Sequence, residues 1–438
     1  MADYTKMWDE LGLDLEAHDQ LLQALPPTYG EVYMRQENRP KGMEYFDFVV
    51  SEIHGLRVQE LQEFKKSGGK VVGTFCIFVP EELVLAAGAV YVGLCSGLDI
   101  GAAEAEAVLP RNICPLIKSF MGFKLARVCP YMESCDLLVG ETTCDGKKKA
   151  FEVLADFAPV YVMETPQRKG PVGRMLWMEE IRLLALKLEE LTGKRITSDS
   201  LAESIRRVNA KRRALQRLNR LRQADPAPIS GRDALLINQI AFYDDVDRFT
   251  AQVNALCDEL EERVGKGVGI APEGTPRVVV SGTPMAIPNW KVPFIVESAG
   301  AVIVGEEMCT GSRYFETLTE EREGADLDEM LAGVAARHLE PDCACFTPNS
   351  RRLEKLVDMA RAHRADGVIS YILSFCDPYA VEAYQVEKAL KRTGIPSLKI
   401  ETDYGQHDAG QIRTRVETFL EIVAGRKAAE RRAGAVSG

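Results

Sequence analysis

Eleven cysteines, at positions 76, 95, 114, 129, 135, 144, 257, 309, 343, 345 and 376, are the residues of this 438-residue chain whose type and placement most invite chemistry. Three of them share a local setting. Cys114 precedes Pro115, Cys144 precedes Asp145-Gly146 and the run Lys147, Lys148 and Lys149, and Cys376 precedes Asp377-Pro378; each stands before a segment that reads as a helix. A thiol at a helix N-terminus meets unpaired backbone N–H groups and the positive end of the helix dipole. Both favour a thiolate, or the negative charge of a thiolate-ligated iron-sulfur cluster. Strand-to-helix turns of an open parallel sheet lie at its carboxyl edge, so cysteines far apart in sequence can converge there. Any single cysteine of the eleven reads as a small buried hydrophobe. The repeated turn context is what favours a cluster, because soft thiolates select iron-sulfur, copper(I) or zinc.

Other chemistries have less support. The cysteine count is odd and the opening MADYTKMWDELGLDLEAHDQ has neither a basic n-region nor an apolar h-region, which argues against a disulfide framework and for the cytoplasm. Only five histidines occur, none in HExxH, and no CxxC exists, so zinc-finger, ferredoxin and thioredoxin patterns are all missing. No GxxxxGK[ST] is found, and the glycine-rich GKGVGIAPEG at 265 to 274 follows a charged helix, so the chain is not expected to bind ATP by itself. A net charge of −11 disfavours nucleic acid and anionic membrane, and the longest apolar stretch, Leu83 to Cys95, is too short to span a bilayer.

The elements that must position these thiols follow from patterning. Residues 1–68 read as an N-terminal helical cap. Within 69–171, β-branched runs (KVVGTFCIFVP, VYVGLCSG, DLLVG, PVYVME) alternate with helix-prone segments, the signature of a parallel sheet. Residues 172–272 read as a helical connector, with a capping box in Ser200–Glu203 and an apolar stripe of Leu201, Ile205, Val208, Leu215 and Leu218. The Arg-rich run at 206–222 reads first as the solvated outer face of that helix, and second as a docking surface for acidic protein or RNA. Alternation resumes over 273–425, ending in a helix near Gln411 to Val423, and 426–438 is expected to be a frayed tail. The fold class is therefore α/β: two Rossmann-like parallel-sheet domains joined by a helical segment, with the helical cap in front. DLLVGETTCDG in the first domain resembles DGVISYILSFCDP in the second, which suggests a diverged duplication.

The blocks GTFCIFVPEELVLAAGA, LPRNICPLIKS, DLLVGETTCDGKKKAFEVL, CACFTPNSRR, ILSFCDPYAVEA and IETDYGQHDAGQIRTRVETFLE together resemble the 2-hydroxyacyl-CoA dehydratase and benzoyl-CoA reductase D-component superfamily over about 70 to 423. Within it they are most similar to the stand-alone double-cubane-cluster anaerobic reductases. The resemblance implies a [4Fe-4S] cubane on Cys114, Cys144 and Cys376, the three already marked by helix-start context. It also implies a second cubane, bridged to the first by sulfide, on three further cysteines. Cys76, Cys309 and Cys343 are the choice, with Cys345 as alternative to Cys343, and Cys95 or Cys129 as alternatives to Cys76; Cys135 and Cys257 are assigned to packing.

The implied function is reduction of a small molecule with low-potential electrons from a docked iron-sulfur ATPase activator, in a homodimer. Lys147 to Lys149 either steer that partner or solvate their helix, and Glu141, Glu307 and Asp377 neighbour the cysteines as candidate acids. The alternatives are a 2-hydroxyacyl-CoA dehydratase subunit holding one [4Fe-4S] cluster, and a non-catalytic electron-storage protein.

Overall fold

The computed structural model describes residues 3–436, with side-chain burial described through residue 427. The chain begins with helices α1 (Thr5–Glu10), α2 (Leu15–Tyr29), α3 (Met43–Ser51) and α4 (Leu56–Lys66). The first sheet then takes β1 (Val71–Thr74), β2 (Val90–Gly93), β3 (Leu137–Glu141) and β4 (Val160–Met163) in the order β2-β1-β3-β4, all parallel. Between these strands run α5 (Glu81–Ala86), α6 (Ala102–Glu106), α7 (Pro115–Leu125), α8 (Pro130–Ser134) and α9 (Asp145–Leu154). Four helices without strands follow: α10 (Pro171–Thr192), α11 (Ser198–Leu221), α12 (Gly231–Ile240) and α13 (Val246–Gly265).

The second sheet repeats the first. β5 (Arg277–Gly282), β6 (Val302–Glu307), β7 (Gly367–Leu373) and β8 (Ser397–Thr402) lie in the order β6-β5-β7-β8, again all parallel. Its helices are α14 (Lys291–Ser298), α15 (Ser312–Phe315), α16 (Leu327–Leu339), α17 (Ser350–Ala362), α18 (Asp377–Arg392) and α19 (Ala409–Val436). Valine and isoleucine dominate the inner strands, and β1, β3 and β5 are buried along their whole length, as strands covered on both faces must be. The third strands of the two sheets, β3 and β7, are the ones whose sequences resemble each other, and they lead to Cys144 and Cys376 respectively. The α/β reading with two parallel-sheet units around a helical segment therefore holds.

Three local expectations need correction. Helix α11 is capped by Thr197, whose extended backbone lets its hydroxyl accept from the Ser200 N–H; Ser200 is thus inside the first turn and not the cap. Helix α19 continues to Val436, through most of the segment expected as a tail; residues 437 and 438 lie outside the described residues. The Arg-rich run is a solvated face only in part. Arg206 and Arg213 are exposed, but Lys211, Arg212 and Arg222 are buried and paired with Glu81, Glu82 and Glu306.

Those pairs form a clasp between the halves of the chain. Glu81, on α5 of the first unit, accepts from Lys211 at 2.6 Å and from the Tyr314 hydroxyl of α15 at 2.7 Å. Glu82 accepts from Arg212 at 2.5 Å and from Thr319 at 2.7 Å, and His338 of α16 stands 2.9 Å away. Buried ion pairs add little over an apolar filling, yet removing one partner costs about 3–5 kcal/mol because the other charge stays buried. The clasp therefore fixes how the two units meet. Among the described residues, no helix is long and apolar enough to cross a membrane.

Candidate metal centre

A cavity of about 2130 Å³ opens at the carboxyl ends of both sheets, lined by the residues that follow β1, β2, β3 and β4 on one side and β5, β6 and β7 on the other. Parallel sheets place their ligand crevices at this edge. Eight cysteines line it: Cys76, Cys95, Cys114, Cys144, Cys309, Cys343, Cys345 and Cys376. The six positions expected as ligands are all among them. Gly282, which ends β5 here with φ +143°, is required as glycine, since a Cβ would sit 1.8 Å from the Tyr371 carbonyl oxygen.

The first set is held by helix starts. Cys114 is the N-cap of α7 with Pro115 in the first turn, Cys144 the N-cap of α9, and Cys376 the N-cap of α18. The Cys144 Sγ accepts from the Lys147 N–H at 3.4 Å. The neighbouring Cys376 thiol favours the Cys114 thiolate, and the Leu116 and Ile117 N–H groups add to it against burial. Cys376 is pushed up by the same neighbour and by burial, although the Tyr379 N–H works the other way. Burial raises Cys144, opposed by the Lys147 and Gly146 N–H groups. Phe375, immediately before Cys376, takes a left-handed φ of +60°, the kind of strain that marks functional turns.

The second set is held by side chains. Cys76 lies past β1 and Cys309 past β6; the neighbouring Cys76 thiol and the Arg313 charge pull Cys309 down against burial. Cys343, in the loop after α16, is drawn down first by the neighbouring Cys345 and then, against burial, by Arg313 and Tyr379. Glu307, at the end of β6, grips Arg313 at 2.6 Å and Arg352 at 2.9 Å and accepts from Ser281 at 2.6 Å. Burial lifts the Glu307 carboxyl, but the two guanidinium groups outweigh it and keep it ionised, so it is poorly suited to giving up a proton.

Lys147 serves both sets. Its ammonium group does not face outward toward a partner: it is buried, paired with Glu141, and lies 3.4 Å from the Phe75 carbonyl. Its charge favours the thiolates of Cys76, Cys95, Cys114 and Cys309. Lys148 and Lys149 are the exposed members, salt-bridged locally to Asp145 and Glu152. Of the candidate acids, Glu141 is buried against Lys147 with its second oxygen unpartnered, and Asp377 is exposed at the cavity edge.

The remaining cysteines behave differently. Cys95, Cys135 and Cys257 point their sulfurs at carbonyl oxygens of Phe75, Tyr131 and Ala214, an arrangement that needs the protonated thiol. Burial pushes Cys95 and Cys129 up to about 11. Cys129 faces a separate small cavity of about 50 Å³.

Among the described residues, no three Cys, His, Asp or Glu side chains gather closely enough to hold one metal ion. An inorganic cluster differs from a single ion in keeping its thiolates apart, each on its own iron. Soft donors alone, a helix N-terminus behind each thiol of the first set and a buried cation between the sets are the chemistry such a cluster takes. The residues present fit the group.

Two parallel-sheet lobes that deliver cysteines to one shared cavity define the class, a twin-lobed α/β protein with a thiol-lined crevice. More particularly, the chain belongs to the family described as "2-hydroxyglutaryl-CoA dehydratase, D-component", whose profile matches residues 76–423. It is 38% identical to the Escherichia coli protein named "Putative dehydratase subunit YjiM" over 376 residues, 85% of this chain and 96% of that one. The (R)-phenyllactyl-CoA dehydratase beta subunit of Clostridium sporogenes is 27% identical, covering 87% of this chain and 99% of the relative. One component of the benzoyl-CoA reductase of Thauera aromatica is 23% identical, covering 81% of this chain and 91% of the relative. Relatives named as dehydratases and as a reductase make the family one of enzymes.

Proposed function

We propose that the chain is an anaerobic, cytoplasmic iron-sulfur reductase that takes low-potential electrons from an ATP-hydrolysing iron-sulfur activator protein and reduces a small molecule in the cavity. One observation carries this reading: eight cysteines, contributed by both lobes, line a single crevice. Cys114, Cys144 and Cys376 would hold one [4Fe-4S] unit, and Cys76, Cys309 and Cys343 the second unit of a double cubane. When bound, the cluster supplies single electrons at low potential.

The chain's own residues set the conditions for that chemistry. Helix N-termini and Lys147 offset the negative charge of thiolates, Arg313 does so beside Cys309 and Cys343, and apolar walls limit water. Of the three candidate acids, Asp377 is the one exposed at the cavity edge, where it would pass protons in from solvent. The chain pairs with itself: a relative named as a beta subunit works beside another subunit, and a stand-alone chain takes a second copy of itself in that place.

The dehydratase reading, with one [4Fe-4S] cluster on the helix-start set, is favoured by the names of the relatives. Iron and acid-labile sulfide in anaerobically purified protein separate the two. About eight irons per chain support the double cubane and about four the dehydratase reading. Turnover of a small reducible probe must require activator, ATP and reductant together; turnover indifferent to ATP would reject the proposal.

A further inference from the structure

Tyr379 stands in the first turn of α18, three residues past Cys376. Its backbone N–H serves Cys376, while its hydroxyl lies 3.5 Å from the Cys343 sulfur. Which of these two groups donates is settled by a third. Arg313 gives an N–H to the phenol oxygen, and a guanidinium has no acceptor to return. The phenol proton is thus free to point elsewhere, and Cys343 is the acceptor in reach.

The hydroxyl is held in place from every side. The Arg313 and Arg352 guanidinium carbons lie 5.3 and 5.1 Å from the centre of the Tyr379 ring. Glu307 fixes both arginines, Arg313 also donates to the Gly282 and Glu307 carbonyls, and Arg352 is paired with Glu382. Two arginines and two glutamates cancel in charge. An apolar filling would hold this part of the core at least as well. What the network adds is one oriented O–H beside one sulfur. Among the described residues, no hydroxyl stands at hydrogen-bond distance from the Cys345 sulfur as Tyr379 does from Cys343.

We propose that Tyr379 is a positioning residue whose hydroxyl donates to the Cys343 thiolate, marks Cys343 rather than Cys345 as the ligand of the second cluster unit, and links it through one helical turn to Cys376. This rests on the iron-sulfur reading above. A hydrogen bond to a ligating sulfur stabilises the more negative, reduced state and so raises the reduction potential.

The test is an anaerobic EPR-monitored redox titration of wild type and Tyr379→Phe, with iron analysis of Cys343→Ser and Cys345→Ser. The expected result is a more negative midpoint for one signal in Tyr379→Phe with unchanged iron, loss of about half the iron in Cys343→Ser, and full iron in Cys345→Ser. An unshifted midpoint, or iron lost from Cys345→Ser and kept by Cys343→Ser, overturns the inference while leaving the iron-sulfur reading intact. Colourless, iron-free wild type overturns both. Should Tyr379→Phe not fold, the two serine variants decide the matter alone.

Discussion

The two cysteine sets face the same cavity and are built by opposite means. Cys114, Cys144 and Cys376 are N-caps, so what faces them is the backbone N–H groups of a first turn, which only proline would remove; the Lys147 N–H bonds Cys144. Cys76, Cys309 and Cys343 sit in loops, and what surrounds them is Lys147, Arg313 and Tyr379. A backbone-built site is hard to alter and hard to lose, whereas a site built from side chains can be tuned one residue at a time. The difference teaches where variation in potential or substrate would be expected to arise.

The strongest way to break this comparison is to remove one thiol from each set. Cys114→Ser is expected to abolish ATP-dependent turnover, about 100-fold or more, by emptying the helix-start half, whereas Cys309→Ala keeps about half the iron in an intact cubane. Iron analysis with EPR distinguishes them, and equal losses would mean that the sets are not separable. Next in size is Lys147→Met, which strands the Glu141 carboxylate in the core and should cost about 3–5 kcal/mol in denaturant unfolding. Unaltered stability would show that this cation is not buried between the sets.

Acid challenges the fold from outside either set. His18 and His54 share a hydrogen bond of 3.0 Å, and burial lowers them to about 4 and about 3; His363 is lowered by burial to about 4. All three are neutral in the folded chain, so the unfolded state binds more protons once the pH drops below the ordinary value of 6.5. The stability they contribute is complete above that pH and is lost as it falls toward 4, so Tm should drop by several degrees, about 5 °C or more, between pH 7 and pH 5. A flat Tm over that range would contradict the buried neutral histidines. The smallest effect is expected for Cys135→Ala: its thiol donates to the Tyr131 carbonyl, away from the cavity, and iron content should not change.

Much of this was legible in the sequence, for local reasons. Valine-rich runs alternating with helical segments announce parallel strands, and a cysteine followed by proline or Asp-Gly announces its own helix start. The second cysteine set has no comparable local mark and is expected from family resemblance alone. The burial of Lys147, and Tyr379 altogether, went unread although both carried a usable signal. Lys147, Ala150, Phe151 and Leu154 form one buried stripe at helical spacing, as do Tyr379, Ala383, Val386 and Leu390, so both polar residues belong to inward faces. The burial of Lys211 and Arg212 was not legible, because their partners Glu81 and Glu82 lie 130 residues away and a charge run looks the same whether solvent or carboxylates receive it.

The clasp on α5 has a consequence for traffic. With Glu81 and Glu82 locked to α11, α15 and α16, the halves of the chain have no free hinge along that seam, and hauling them apart would strip several charges of their counterparts at once. Val172 of α10 with Val381 and Tyr384 of α18, all exposed, line the cavity away from that seam, so a reactant arriving from solvent would meet a greasy rim there.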